Sequence, residues 1–249
     1  MEEDQIILVD KPAGISSFGV VARVRRELKD QFGHKVKVGH TGTLDPFATG
    51  LLILLSGKMT KKSNEFLKHD KVYEATLKLG YTSTTGDSEG EIRLYPDEGC
   101  PEPGKARSSA GRPWQTAPWD AESPKGLWAD RTRPESDAIE STIQSFVGEI
   151  TQTPPKFSAI KINGERAYKL ARKGEDFEVP SRKVTIYSID ILDYNYPELK
   201  IRAHVSSGTY IRTLAEDIGK ALGTGAYLTA LRRTKIADYN VKDARQITL

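Results

Sequence analysis

Cysteine, histidine and long apolar runs are all scarce in this sequence. Its one cysteine, Cys100, excludes an intramolecular disulfide, and its four scattered histidines show no metal-ligand spacing. The longest apolar run, residues 51–55, is far shorter than the roughly 20 residues that a membrane-spanning helix needs. The acidic start of the chain lacks the basic and apolar segments of a signal peptide. We therefore predict a cytoplasmic protein with no metal and no membrane contact.

An excess of one charge is also lacking. The chain carries 37 basic and 34 acidic residues, a net charge of +3, which does not by itself imply a polyanionic partner. Basic residues do cluster locally, at residues 23–26, 58–62 and 232–235. If these clusters share one face they suit a phosphate backbone, and otherwise they are ordinary solvated surfaces.

Length and composition suit a globular chain, with 249 residues of which 37% are hydrophobic, and we expect one domain over residues 1–249. The apolar spacing predicts a helix from Ser16 or Ser17 to about Phe32, ended by Gly33. Strict alternation predicts a strand at 72–81 with Tyr73 on its apolar face. Further helices are expected at 137–147, capped by Ser136, and at 167–172 and 209–222.

The remaining strands are expected at 6–9, 36–38, 51–55, 157–162, 183–193 and 199–206. Strands and helices follow one another without regular βαβ units. The predicted fold class is therefore α+β, a mixed, largely antiparallel central sheet flanked by helices.

Residues 96–134 break this pattern. They hold seven of the thirteen prolines, all three tryptophans and the only cysteine, without periodicity. We interpret this stretch as an insertion within the domain. An RNA-contacting flap, a partner-docking loop and a tolerated spacer are all open as its role.

The loop at residues 39–50 is the most unusual local feature, because it places three glycines, three threonines, a histidine and Asp45 before an apolar strand. A phosphate-binding P-loop does not fit, since Gly50 and Gly57 have the wrong spacing and Met59 replaces the required hydroxyl residue. The proline after Asp45 favours an extended backbone. The carboxylate then either points into a pocket or caps the following turn.

A second candidate is Arg212, in the first turn of the helix expected at 209–222. A fixed arginine lowers the pKa of a neighbouring aspartate and keeps it ionised. The alternative is a structural ion pair at the surface.

Seven stretches in order along nearly the whole chain resemble the bacterial TruB family of tRNA pseudouridine synthases. The segment GHTGTLDP at residues 39–46 is the most specific of them. The others are residues 10–17, 71–75, 86–90, 154–161, 208–215 and 231–234.

This resemblance implies the pseudouridine synthase fold and the isomerisation of a uridine in the T-loop of tRNA, at position 55, without a cofactor. The reaction cuts the N-glycosidic bond, turns the base and rejoins it to the sugar through C5. By resemblance Asp45 is the nucleophile, Tyr73 stacks on the target base and accepts a proton, and Arg212 pairs with the aspartate. The base must leave its stack to reach the site.

The same resemblance implies supporting residues around the substrate. His40 occupies space near the displaced bases, Asp87 lies near them, and Leu231 lines the pocket. Lys11, with Pro12 beside it, supports the active-site loop. Tyr73 and Leu231 are alternatively plain core residues, and His40 a surface residue. For Asp87 and for Lys11 with Pro12, a purely structural role is the alternative.

Typical family members continue into a C-terminal RNA-binding (PUA) domain, whereas fifteen residues follow Thr234 here. We expect that domain to be absent and RNA binding to be weaker and more salt-sensitive than in longer members. The expected partner is the T-arm of tRNA, bound by a monomer that needs no guide RNA. An RNA chaperone and a guide-dependent catalytic subunit are the alternatives; intact Asp45, Tyr73 and Arg212 disfavour the first, and the missing domain disfavours the second.

Overall fold

The structure is a computed structural model that describes residues 3–95, 133–162 and 164–247. Most of the predicted insertion, residues 96–132, lies outside the described residues, together with the three tryptophans and Cys100.

Five α-helices and fourteen strands form within the described residues. The helices are α1 Ser17–Phe32, α2 Ser63–Leu67, α3 Ser136–Ser145, α4 Ala167–Arg172 and α5 Ile211–Ala221. The strands are β1 Ile6–Lys11, β2 Val38–His40, β3 Thr49–Ser56, β4 Lys71–Leu79, β5 Tyr81–Ser83, β6 Ile92–Leu94, β7 Gly148–Gln152, β8 Lys161–Ile162, β9 Glu165–Arg166, β10 Arg182–Asn195, β11 Glu198–Val205, β12 Ala226–Ile236, β13 Tyr239–Asn240 and β14 Arg245–Gln246. Short 3₁₀ turns occupy Gly57–Lys62 and Val241–Asp243.

One large sheet organises the molecule. Its ten strands include the path β14-β1-β3-β12-β4-β11-β10-β7, with β2 added on β3 and β13 on β12. All of its pairings are antiparallel except β1 with β14 and β3 with β12. The predicted mixed, largely antiparallel sheet with flanking helices is therefore confirmed.

The helices cover the sheet in separate clusters. α5 and α3 pack with β4, β10, β11 and β12 in the largest cluster, which also contains Leu44 and Ala48 of the 39–50 loop. α1 packs on one face of β3 through Leu52 and Leu54, while Leu51, Ile53 and Leu55 fill a third cluster on the other face. This burial of both faces explains why residues 51–55 are continuously apolar.

Several predicted boundaries are correct for the predicted reasons. The side chain of Ser16 caps α1 by accepting a hydrogen bond from Gly19 N (3.0 Å), and Gly33 ends it with φ of 76°. Side chains of β4 alternate between buried and partly exposed positions from Lys71 to Leu79, with Tyr73 buried. In the described part of the chain, no helix combines the length and apolar character needed to cross a membrane.

Other boundaries were wrong. α3 starts at Ser136, and Glu135, without a side-chain cap, precedes it in place of the predicted serine cap. The strand predicted at 157–162 shrinks to β8, because residues 157–160 are irregular. No strand was predicted at β12, which lies in the middle of the sheet.

Candidate active site

The 39–50 loop connects β2 to β3 and presents Asp45. Its backbone is tied at both sides, since Thr41 N donates to Ile53 O (3.0 Å) and Gly14 N donates to Pro46 O (2.9 Å). The turn after Asp45 closes through backbone alone, with Ala48 N donating to Asp45 O (3.1 Å). The Asp45 carboxylate is therefore free of the turn-capping role that was one of its alternatives.

That carboxylate meets Arg212, which α5 presents from its first turn. Arg212 Nε lies 3.1 Å from Asp45 Oδ2, and Nη2 lies 3.4 Å from Oδ1. The guanidinium also donates to Thr85 O (2.9 Å) and Phe157 O (2.8 Å). Only 4% of Arg212 is exposed, so the interpretation as a surface ion pair was wrong. Two residues 167 positions apart thus form one buried pair.

Asp87 completes a cluster of one cation and two carboxylates. Its Oδ2 lies 3.4 Å from Arg212 Nη1. Its Oδ1 accepts hydrogen bonds from Thr85 Oγ1 (2.6 Å) and Glu89 N (3.0 Å). Asp87 is 2% exposed, whereas a third of the Asp45 side chain reaches solvent. Asp45 is therefore the carboxylate that an incoming molecule can touch.

The pKa of Asp45 is raised above its ordinary value. Burial is the largest cause, and the Asp87 charge adds to it, whereas Arg212 opposes the rise. Arg212 lowers the pKa of Asp45 as expected, but burial outweighs this effect. Arg212 limits the penalty of placing this carboxylate in a partly dry site.

Lys11 stabilises the loop through hydrogen bonds to backbone carbonyls. Its ammonium group donates to Pro12 O (2.9 Å), Ile15 O (2.8 Å) and Pro46 O (3.1 Å), the last directly after Asp45. Burial lowers the pKa of Lys11 to about 8, against the opposing charge of Asp45. The side chain thus ties the end of β1 to the loop.

His40 is part of the loop, whereas Tyr73 and Leu231 come from strands β4 and β12 of the sheet. Tyr73 and Leu231 are 8% and 7% exposed and belong to the cluster that contains Leu44. The His40 ring accepts from Gly42 N (3.4 Å) through Nδ1, and burial lowers its pKa. All seven predicted site residues therefore lie on or around the 39–50 loop and its Arg212 partner.

Comparison with known proteins places this arrangement in a family. The family described as TruB family pseudouridylate synthase (N terminal domain) matches residues 28–103 and 114–211, more than half of the chain. The chain belongs to the TruB family. The family's tRNA pseudouridylate synthase B C-terminal domain matches residues 212–249. In the structure, the described part of that match begins within α5, which packs on the large sheet, and continues through β12, a strand of that sheet.

Two named relatives are similar to this chain over almost their whole length. A tRNA pseudouridine synthase B from Phocaeicola vulgatus is 42% identical, over 99% of this chain and 91% of its own. Another from Flavobacterium johnsoniae is also 42% identical, over 99% of this chain and 94% of its own.

A solved structure shares the fold as well. A chain in the crystal structure of a Cbf5-Nop10-Gar1 complex aligns with a TM-score of 0.63 at 27% identity. The alignment covers 99% of this TruB-family chain and 52% of that chain, so this protein spans about half of its length.

Two further residues of this TruB-family site escaped the sequence analysis. Ser17 Oγ donates to Leu44 O (2.9 Å) and accepts from Leu44 N (2.8 Å), which anchors the residue before Asp45 to α1. Arg233, 1% exposed, donates to Gly42 O (3.1 Å) and Leu51 O (2.8 Å) and lies 6.0 Å from the Tyr73 ring centre. Both were assigned to other roles, Ser17 to a possible cap and Arg233 to a surface cluster.

Proposed function

We propose that this TruB-family protein converts a T-loop uridine of tRNA, position 55, to pseudouridine, with Asp45 as the nucleophile. One observation carries the proposal: a partly exposed carboxylate, Asp45, is held by a buried arginine, Arg212, from a distant helix. The relatives named tRNA pseudouridine synthase B support tRNA as the substrate.

The reaction balances without any external reagent. The N1–C1′ bond of the uridine breaks, a C5–C1′ bond forms, C5 loses a proton and N1 gains one. Attack by the carboxylate, on the base or on the sugar, requires its ionised form. The Arg212 guanidinium supplies the charge that stabilises this form, and Asp87 fixes the guanidinium from its other side.

Tyr73 and Leu231 are proposed to form the wall against which the uracil ring packs. Both lie in the apolar cluster that includes Leu44, next to Asp45. Stacking on Tyr73 keeps the detached base in place while it turns. The phenolic oxygen of Tyr73 accepts the C5 proton as its own hydroxyl proton passes to solvent. His40 is proposed to fill the space that the uridine vacates, and Lys11 to hold the loop rigid through Pro46 O.

The partner is proposed to be tRNA alone, bound through its T-arm by a monomer without a guide RNA. A single domain over residues 1–249 is part of the same proposal. Relatives of similar length that carry the tRNA pseudouridine synthase B name support it.

Release of tritium from tRNA labelled at uridine C5 tests the function directly. Wild type, without added RNA, is expected to release tritium in proportion to pseudouridine formed. Asp45→Asn removes the nucleophile and is expected to lower the rate by on the order of 10⁴-fold or more. Asp70→Asn is the matched control, because its carboxylate pairs with His204 at an exposed position. Full activity of Asp45→Asn would exclude this mechanism.

A further inference from the structure

Phe18 is an aromatic side chain that the site described so far does not use. It stands in the first turn of α1 and is 67% exposed. Single exposed apolar residues are common on proteins, so exposure alone carries no weight. The contacts of Phe18 and the position of its backbone are what indicate a function.

The ring of Phe18 touches the ring of His40 edge to face. The ring centres are 6.0 Å apart and the planes cross at 89°. Such an arrangement is a favourable aromatic pair. Because Phe18 is largely exposed, most of its surface stays open for a further ring to pack against it.

The residue before Phe18 is joined to the Asp45 loop through its side chain. This residue, Ser17, makes both hydrogen bonds to Leu44, the residue before Asp45. His40 is part of that loop, and its ring accepts a hydrogen bond from Gly42 N. The two rings therefore sit at fixed positions at the edge of the loop that carries the proposed nucleophile.

A cation lies on the same face of α1 as Phe18 of this aromatic pair. Arg25 lies seven positions after Phe18, on the same face of α1, and its Nη2 donates to Val38 O (3.1 Å) of β2. Exposed aromatic rings flanked by cations are how proteins hold unpaired nucleotides, because every base can stack and every phosphate is negative.

We propose that Phe18 is a substrate-binding residue whose ring stacks on an unpaired base next to the target uridine. The proposal rests on the proposed function, since turning the uridine into the site unstacks its neighbours. Stacking on Phe18 offsets part of that cost and holds the loop open. Phe18 itself performs no chemistry.

Binding of a T-arm hairpin, followed by fluorescence anisotropy, tests this inference. A set of hairpins is used in which each loop base beside the uridine is removed in turn, leaving an abasic sugar. On the intact hairpin, Phe18→Ala is expected to raise Kd by roughly 5- to 150-fold, the range for removing one base stack. Phe18→Trp is expected to retain wild-type affinity. On one abasic hairpin, Phe18→Ala and wild type are expected to bind equally.

Tyr187→Ala is the matched control. Tyr187 is also half exposed and also contacts a histidine, His204, with ring centres 4.7 Å apart. His204 pairs with Val72 in the sheet while Tyr73 pairs with Ala203, so the His204 side chain lies on the opposite face from Tyr73. This control is expected to change Kd for no hairpin.

Two outcomes would overturn the inference: an unchanged Kd for Phe18→Ala, or a loss of equal size on every hairpin, abasic ones included. Tritium release by wild type is measured separately. Its absence would refute the proposed function, whereas hairpin binding that is indifferent to Phe18 in an active wild type refutes only the stacking role.

Discussion

The ionised carboxylate of Asp45, which the proposed reaction needs, is expected to lower the stability of the folded protein at neutral pH. Burial raises the pKa of this carboxyl, so the folded state holds its proton more tightly than the unfolded chain does. The resulting stabilisation is present below the unfolded pKa and is lost as the pH rises through the folded pKa. At neutral pH Asp45→Asn is therefore expected to raise the unfolding midpoint in urea while abolishing tritium release.

Asp70 provides a control of opposite sign. A hydrogen bond with His204 lowers the pKa of Asp70, so its stabilisation is present above the unfolded pKa and is lost on acidification. Asp70→Asn is expected to lower the urea midpoint at neutral pH. If both substitutions shift the midpoint in the same direction, burial is not the cause of the Asp45 effect.

Lys11 is expected to make the free energy of unfolding depend on pH in the alkaline range. Its pKa is lowered from 10.5 to about 8, so its contribution to stability is present above the unfolded pKa and is lost as the pH falls through about 8. The pKa of Lys71 is also lowered to about 8, so the pH dependence of wild type alone does not separate the two lysines. The effect of Lys11 is therefore measured as the difference between wild type and a Lys11 variant. We expect the free energy of unfolding of wild type minus that of Lys11→Met to rise by on the order of 2 kcal/mol from about pH 7 to about pH 10. A flat difference would contradict a buried, charged Lys11.

Substitutions of two adjacent serines at the start of α1 distinguish the stability of the helix from the positioning of the Asp45 loop. Ser17 makes two buried hydrogen bonds with Leu44, whereas Ser16 caps the helix at the surface. Ser17→Ala is expected to cost about 1–3 kcal/mol, because two buried backbone groups lose their partner, and to lower kcat with little change in KM.

Ser16→Ala is expected to cost about 1 kcal/mol through loss of the cap and to leave kcat unchanged. Urea unfolding and steady-state tritium release on both variants measure the two effects. Equal kcat values for the two variants would show that the Ser17 hydrogen bonds do not position Asp45.

Local signals in the sequence predicted some elements and missed others for a physical reason. α1 has both a capping serine and a terminal glycine, and β4 alternates without interruption, so both were found. β12 carries bulges against β4 between Leu228 and Ala230 and between Arg233 and Lys235. Each bulge shifts the side-chain alternation by one residue, which removes the period of two that identifies a strand.

The site shows a similar division. The resemblance indicated Asp45, Tyr73 and Arg212, and the structure places them around one loop; their chemical roles stay predictions. The raised pKa of Asp45 was not predictable, because it depends on how much of the carboxylate the fold encloses. The Ser17 anchor was equally hidden, since a serine at a helix start predicts a cap.

Charge over the whole molecule is distributed differently from the predicted three clusters. Arg232 forms a two-point ion pair with Asp10 (2.7 and 3.0 Å), and Arg233 is buried, so both arginines of the third cluster hold β12 in place. A groove beside β2 instead gathers four lysines together with Glu3 and Asp4. Its lysines are Lys35, Lys37, Lys58 and Lys61.

This lysine groove is expected to contribute to the salt dependence of RNA binding. It opens at the end of β3 away from the Asp45 loop, about 23 Å along the strand at roughly 3.3 Å per residue. Lys35, Lys37 and Lys61 form no ion pair within the described residues, so each can displace a counterion from a phosphate.

Replacing these three lysines by glutamine is expected to reduce the slope of log K against log salt by about one for each phosphate that the variant no longer neutralises. Lys183 and Lys200, which pair with Glu149 and Asp193, are the matched controls, and filter binding of tRNA measures both sets. An unchanged slope for the groove variant would show that the RNA backbone binds to another face of the protein.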